Sequence, residues 1–177
     1  MRKALLNEGL EDIRVAVNIS LKQFQQENFI EQVPMILQAS KLDGRYLELE
    51  ITESIAMDSP EIVIEKLLQL QQHHIHISIN DFGMGYSSLN YLKRLPIQQL
   101  KIDRTFIQDI DQKNDYAIVK SIISMAESLS LSVVAEGVET EVQGKLLKDL
   151  NCAYVQGYYY YKPMPAKDIF PLISAPI

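Results

Sequence analysis

The chain has 177 residues, 47% of them hydrophobic and 23% charged, with 17 Lys+Arg against 23 Asp+Glu and a formal net charge of −6. That is enough for one sizeable core and too short for two comfortable domains. An acidic chain without a Lys/Arg cluster is a poor candidate for holding DNA by counterion release, whereas acidic clusters attract divalent cations. Cys152 is the only cysteine, so a disulfide framework and a cysteine-based zinc site are ruled out. The apolar runs are too short for a membrane segment, and Met1-Arg2-Lys3 leads into no signal-peptide core, so a cytoplasmic domain is expected.

In chain order, short runs rich in β-branched residues alternate with stretches of helical spacing. Arg14–Asn18 is the first predicted strand, followed by a helical stripe of Phe29, Val33, Ile36 and Leu37. Tyr46–Thr52 is the second. After it, Ser59-Pro60-Glu61 reads as an N-cap with proline in the first turn, opening a helix that carries Ile62, Ile64, Leu67, Leu68 and Leu70. Strands at Ile75–Ile79 and Gln99–Asp103 come next, then a stripe of Ile118, Ile122, Met125, Ala126 and Leu129. The strand Leu131–Glu136 precedes a helix opened by Thr140-Glu141 and carrying Val142, Leu146, Leu147 and Leu150. Ala153–Gln156 is the last strand.

Strand–helix–strand repetition means parallel strands joined by crossovers, hence an α/β sheet or barrel. One feature favours the barrel. The strands end in Asn18, Glu50, Asp81, Lys101 with Asp103, Glu136 and Gln156, and a (β/α) barrel gathers its strand C-termini at a single mouth. An open doubly wound sheet would instead place a Gly-rich turn after its first strand, and there is none. With period two, Ala16 shares a face with Asn18, Glu48 with Glu50 and Thr52, and Lys101 with Asp103. Any one of these alone reads as a cap. Together they read as a site.

The segments Val17-Asn18-Ile-Ser20, Glu48-Leu-Glu50-Ile-Thr-Glu53, Asn80-Asp81-Phe-Gly-Met-Gly85-Tyr-Ser-Ser88, Leu100-Lys101-Ile-Asp103, Ala135-Glu136-Gly-Val-Glu139, Val155-Gln156-Gly-Tyr158 and Lys162-Pro-Met-Pro165 resemble, in order and spacing, the EAL domain family, from about Glu8 to near the C-terminus. The resemblance implies a modified TIM barrel that hydrolyses cyclic di-GMP to linear pGpG with two Mg²⁺ or Mn²⁺ ions. It implies that Asn18 and Glu50 hold one metal, that Asp81 and Glu136 serve the second and its water, and that Lys101 positions or polarises the attacking water. Gln156 would line the substrate site, with Asp103 either beside it or in a surface ion pair with Arg104. Glu53 would anchor the loop Asn80–Ser88.

The chain departs from the family pattern in three places. The motif that names the family lies on an early strand, which this chain lacks, so residues 1–177 are expected to form a single incomplete barrel missing its first strands. The family's bridging aspartate is Asn80 here, whose neutral amide weakens a bridge between two dications. Met84 occupies a loop position that is usually small and polar or Ala. The expectation is impaired hydrolysis, with a degenerate cyclic di-GMP receptor or protein-interaction module as the alternative. A generic phosphate-binding barrel enzyme is a third reading, unsupported by any glycine-rich phosphate loop near the last strands. A homodimer is expected, through the open sheet edge or through Tyr86–Arg104, and a GGDEF or sensory domain upstream in the parent protein is compatible. His73, His74 and His76 read as a solvated turn rather than a metal triad, and Glu139 as a cap or solvated carboxylate. Of Tyr158–Tyr161, at least half are expected in strand packing, with guanine stacking as the other role.

Overall fold

The computed structural model describes residues 13–85 and 89–173; Glu8, where the resemblance begins, and Tyr86–Ser88 of the glycine loop lie outside them. Six strands form one sheet in sequence order: β1 (Val15–Ile19), β2 (Leu47–Thr52), β3 (His76–Phe82), β4 (Gln99–Ile102), β5 (Ser132–Glu136) and β6 (Tyr154–Gln156). Every neighbouring pair is parallel. Parallel neighbours need long crossovers. The chain supplies them as helices α1 (Leu21–Phe24), α2 (Phe29–Ser40), α3 (Glu53–Asp58), α4 (Pro60–Gln71), α5 (Leu89–Leu92), α6 (Arg104–Gln108), α7 (Lys113–Ser128) and α8 (Glu141–Asp149), with α9 (Ala166–Ile173) after β6. This is the α/β architecture of a partial TIM-type barrel. The sheet curls until Ala16 of β1 and Gln156 of β6, at opposite ends of the strand order, line one cleft of about 750 Å³.

The outer face of the sheet is apolar and sealed by the helices. Ile77 and Ile79 of β3 and Leu100 and Ile102 of β4 are fully buried, together with Leu67 of α4, Val119 of α7 and Leu147 of α8. Each such side chain contributes about 1.5–3 kcal/mol. The phase of the helices differs from the sequence expectation. α4 turns Val63, Leu67 and Leu70 inward and leaves Ile62 and Leu68 exposed; Ile36, Ile118 and Val142 are exposed as well. A helix on a sheet buries a stripe little more than 100° wide, so where apolar residues are adjacent in sequence only one phase reaches the core. Pro60 stands at the start of α4, but Ser59 makes no side-chain cap bond there; Thr140 and Gln143 form a reciprocal capping box on α8.

The inner face is polar, with Glu48, Glu50, Ser78, Gln99 and Lys101 all buried. Toward the N-terminal ends of the strands, Arg14 lies 3.6 Å from Glu48, and His76, the register partner of Glu48, keeps a buried Nε2 with no protein hydrogen-bond partner. Burial and the Arg14 guanidinium hold this imidazole below its usual 6.5, only partly countered by Glu48. The unfolded chain therefore takes up the proton first as pH falls. The contribution to stability is complete above 6.5 and declines as pH drops below it. Urea midpoints measured at stepped pH should fall on the acid side of 6.5, less steeply for His76→Gln; identical profiles would contradict this. His73 and His74 are exposed in the preceding turn, and among the described residues no three His, Cys, Asp or Glu side chains converge on one point.

Candidate functional site

Because the strands all run one way, their C-terminal ends meet at one mouth, and Asn18, Glu50, Asp81, Lys101, Glu136 and Gln156 are all carried there. Lys101 is the centre of the cluster. Its Nζ lies 2.6 Å from Glu50 Oε1 and 2.5 Å from Glu136 Oε1. Burial alone would lower the ammonium pKa, but the hydrogen bonds to Glu136 and Glu50 outweigh it and hold Lys101 above its ordinary value. The lysine stays charged. Two of its three N–H donors are used, leaving one for a ligand or a water.

The carboxylates are less fully compensated. Burial raises the Glu136 pKa, Lys101 pulls it back, and Glu50 and Asp81 push it up again. Asp81 is raised first by burial and then by the neighbouring Asp103 carboxylate, which repels its charged form and can accept its proton in the acid form. Its backbone sits at φ 55°, a left-handed conformation that is costly for a residue with a side chain and that concentrates at functional sites. Asn18 and Glu50 are register partners on β1 and β2. Asn80 Nδ2 donates to Asn18 Oδ1 at 3.3 Å, which leaves Asn80 Oδ1 buried with no protein partner.

The loop after β3 is held from below. Glu53, 4% exposed at the start of α3, accepts the N–H groups of Gly83 at 3.0 Å and Gly85 at 3.1 Å on Oε2. Gly83 adopts φ 101°, where a side chain would also meet Phe106. Glu53 is thus placed to anchor the loop. Met84 stands exposed at the rim, with Thr105 Oγ1 3.4 Å from its sulfur. Asp103 caps α6, accepting Thr105 N–H at 2.8 Å and Thr105 Oγ1–H at 2.6 Å, and no ion pair with Arg104 forms among the described residues. Thr105 was not singled out from the sequence; the Asp-x-Thr spacing at a helix start was the available signal.

Gln156 is the register partner of Glu136 and lines the cleft beside Tyr158, Tyr161 and Lys162. The expected strand packing of Tyr158–Tyr161 does not occur. β6 ends at Gln156, Gly157 begins a turn, and all four tyrosines are exposed. Glu139 is also exposed, and its N–H donates to Gln143 Oε1.

The donors at the mouth are all oxygens. Glu50, Asp81 and Glu136 lie near the Lys101 ammonium without three carboxylates converging on one point among the described residues, and the buried Asn80 Oδ1 lacks a protein partner. That set fits hard divalent cations.

The EAL domain family model matches residues 1–163. The bifunctional diguanylate cyclase/cyclic di-GMP phosphodiesterase MucR of Pseudomonas aeruginosa is 42% identical over 170 residues, covering 96% of this chain and 25% of MucR. The cyclic di-GMP phosphodiesterase NbdA of the same organism is 43% identical over 158 residues, covering 89% of this chain and 20% of NbdA. The solved PaMucR phosphodiesterase in complex with c-di-GMP matches at TM-score 0.92 and 43% identity, over 95% of this chain and 68% of that one. The chain thus spans a quarter or less of the length of these curated relatives. With the family matched along residues 1–163 and the fold shared with a solved relative, the chain belongs to the EAL domain family.

Proposed function

We propose that this chain is a metal-dependent cyclic di-GMP phosphodiesterase domain, weakened by Asn80, which yields linear pGpG in bacterial second-messenger signalling. The observation that carries the reading is the Lys101 ammonium clamped between Glu50 and Glu136 at the mouth. Asn18, Glu50, Asn80, Asp81 and Glu136 would hold Mg²⁺ or Mn²⁺. Bound there, such ions neutralise phosphate charge and lower the pKa of a coordinated water.

The protein's own share is positioning and charge. Glu50 and Glu136 fix Nζ so that its remaining N–H points a positive charge at a water or a phosphate oxygen. Glu136, with its raised pKa, is suited to take a proton from the attacking water. Gln156, at the end of β6, and Asp103, just after β4, would border the nucleotide. Glu53 keeps the Asp81 loop in place while these groups act.

Asn80 favours the receptor reading as a second possibility. Its amide donates to Asn18, where an aspartate would supply a second anionic oxygen. If the hydrolytic reading holds, Asn80→Asp raises the rate of pGpG formation with Mn²⁺ by about tenfold or more, worth 1.4 kcal/mol of barrier. Binding of cyclic di-GMP without turnover in either protein would select the receptor.

Action in the cytoplasm is part of the proposal; among the described residues no helix is long and apolar enough to cross a membrane. The relatives' greater length fits a parent protein with GGDEF or sensory domains. A homodimer is proposed through the outer edges of β1 and β6, whose sequences Val15–Ile19 and Tyr154–Gln156 contain none of the charged or proline residues that guard exposed strand edges. Sedimentation at tens of micromolar should show a dimer; a stable monomer would remove this part of the proposal.

A further inference from the structure

We infer that Arg104 is a substrate-binding residue that takes a phosphodiester oxygen of the nucleotide at the rim of the mouth, an assignment that rests on the cyclic di-GMP reading above. Arg104 is exposed and lines a cavity of about 520 Å³ together with Thr52, Glu53, Asp81, Gly85 and Asp103. Three carboxylates therefore border the same cavity, and none takes the guanidinium. Asp103 receives both donors of Thr105, Asp81 lies against Asp103, and Glu53 accepts the loop amides. Among the described residues Arg104 has no ion pair, although its chain neighbour is an aspartate.

Its placement is built into the backbone. Gly137, next to Glu136, has φ 75°, and a Cβ at that position would lie 2.5 Å from Arg104 Cβ. Only a residue without a side chain lets the start of α6 pack this closely against the end of β5, and that packing fixes the Arg104 backbone next to the residue that follows Glu136. A guanidinium on the rim of the cavity that Asp81 also lines, with no carboxylate engaged among the described residues, has the fork geometry that phosphate oxygens accept. The contact is made by substrate and transition state alike, so it belongs to affinity more than to the chemical step.

The test is calorimetric titration of cyclic di-GMP, with Mn²⁺, into the unaltered chain, Arg104→Gln and Arg104→Lys. Arg104→Gln should bind about 10- to 100-fold more weakly, Arg104→Lys in between, with the thermal midpoint unchanged because the side chain is exposed. Affinity of Arg104→Gln should also depend less on added salt, since screening acts on the lost charge, and in turnover KM should rise with kcat nearly constant. Arg104→Gln binding within twofold of the unaltered chain, or losing affinity with an unchanged salt dependence, would overturn the phosphate contact. Absence of binding by the unaltered chain would overturn the functional reading and this assignment with it.

Discussion

Lys101→Met should lower the thermal midpoint by roughly 10 °C and abolish measurable hydrolysis. Lys101 and Glu50 are buried at 5% and 6% side-chain exposure, and Glu136 is at 19%. Methionine fills a similar volume, so the change removes charge rather than packing. Glu50 and Glu136 are then left facing each other without a counter-charge, and removing one partner of a buried ion pair costs about 3–5 kcal/mol. For a chain of this size each kcal/mol shifts the midpoint by about 2–4 °C. Glu136 escapes part of the penalty by binding a proton, as its raised pKa already favours. The deficit should therefore shrink toward acid pH. Scanning calorimetry of both proteins at neutral and acid pH reads this directly, and a midpoint within a degree of the unaltered chain at neutral pH would show that the cluster is not energetically coupled.

Glu53→Ala should free the loop after β3 at a cost of about 2–3 kcal/mol. One buried carboxylate oxygen accepts two backbone N–H groups, and hydrogen bonds to a charged acceptor are worth about 1.5–3 kcal/mol. Alanine leaves the Gly83 and Gly85 amides unmet. Asp81, in its left-handed conformation two residues before Gly83, depends on this loop to stay where it is. Hydrogen exchange at the amides of residues 83 and 85 should accelerate at least tenfold, while exchange in β4 and β5 moves only with global stability. Glu53→Gln, which keeps an acceptor oxygen, should recover part of the protection. Equal exchange in Glu53→Ala and the unaltered chain would show that the loop is held by other contacts.

How much of this was legible in the sequence depended on the kind of signal. The strands were readable because β-branched runs stop at polar residues, and parallel topology carries all those stops to one mouth. Asn18, Glu50, Lys101 and Glu136 are thus gathered by the sequence pattern alone. The bond from Lys101 to both carboxylates was not readable, because period-two alternation gives a face and not a partner. Helix phase also failed where apolar residues are adjacent: Leu67 and Leu68 look alike in sequence, yet only Leu67 faces the sheet. The strand packing expected for at least half of Tyr158–Tyr161 fails because aromatic residues favour strands, whereas Gly157 turns the chain first. Arg104 and His76 owe their surroundings to contacts between distant segments, which a single sequence does not display.

The most direct measurement incubates this chain with cyclic di-GMP and Mn²⁺ and resolves the products by chromatography, with and without a chelator. The account predicts chelator-sensitive conversion to linear pGpG, slower than the roughly 1 s⁻¹ at the low end of typical enzymes, and lost in Lys101→Met. Cyclic di-GMP left unchanged and unbound at every metal concentration would contradict it.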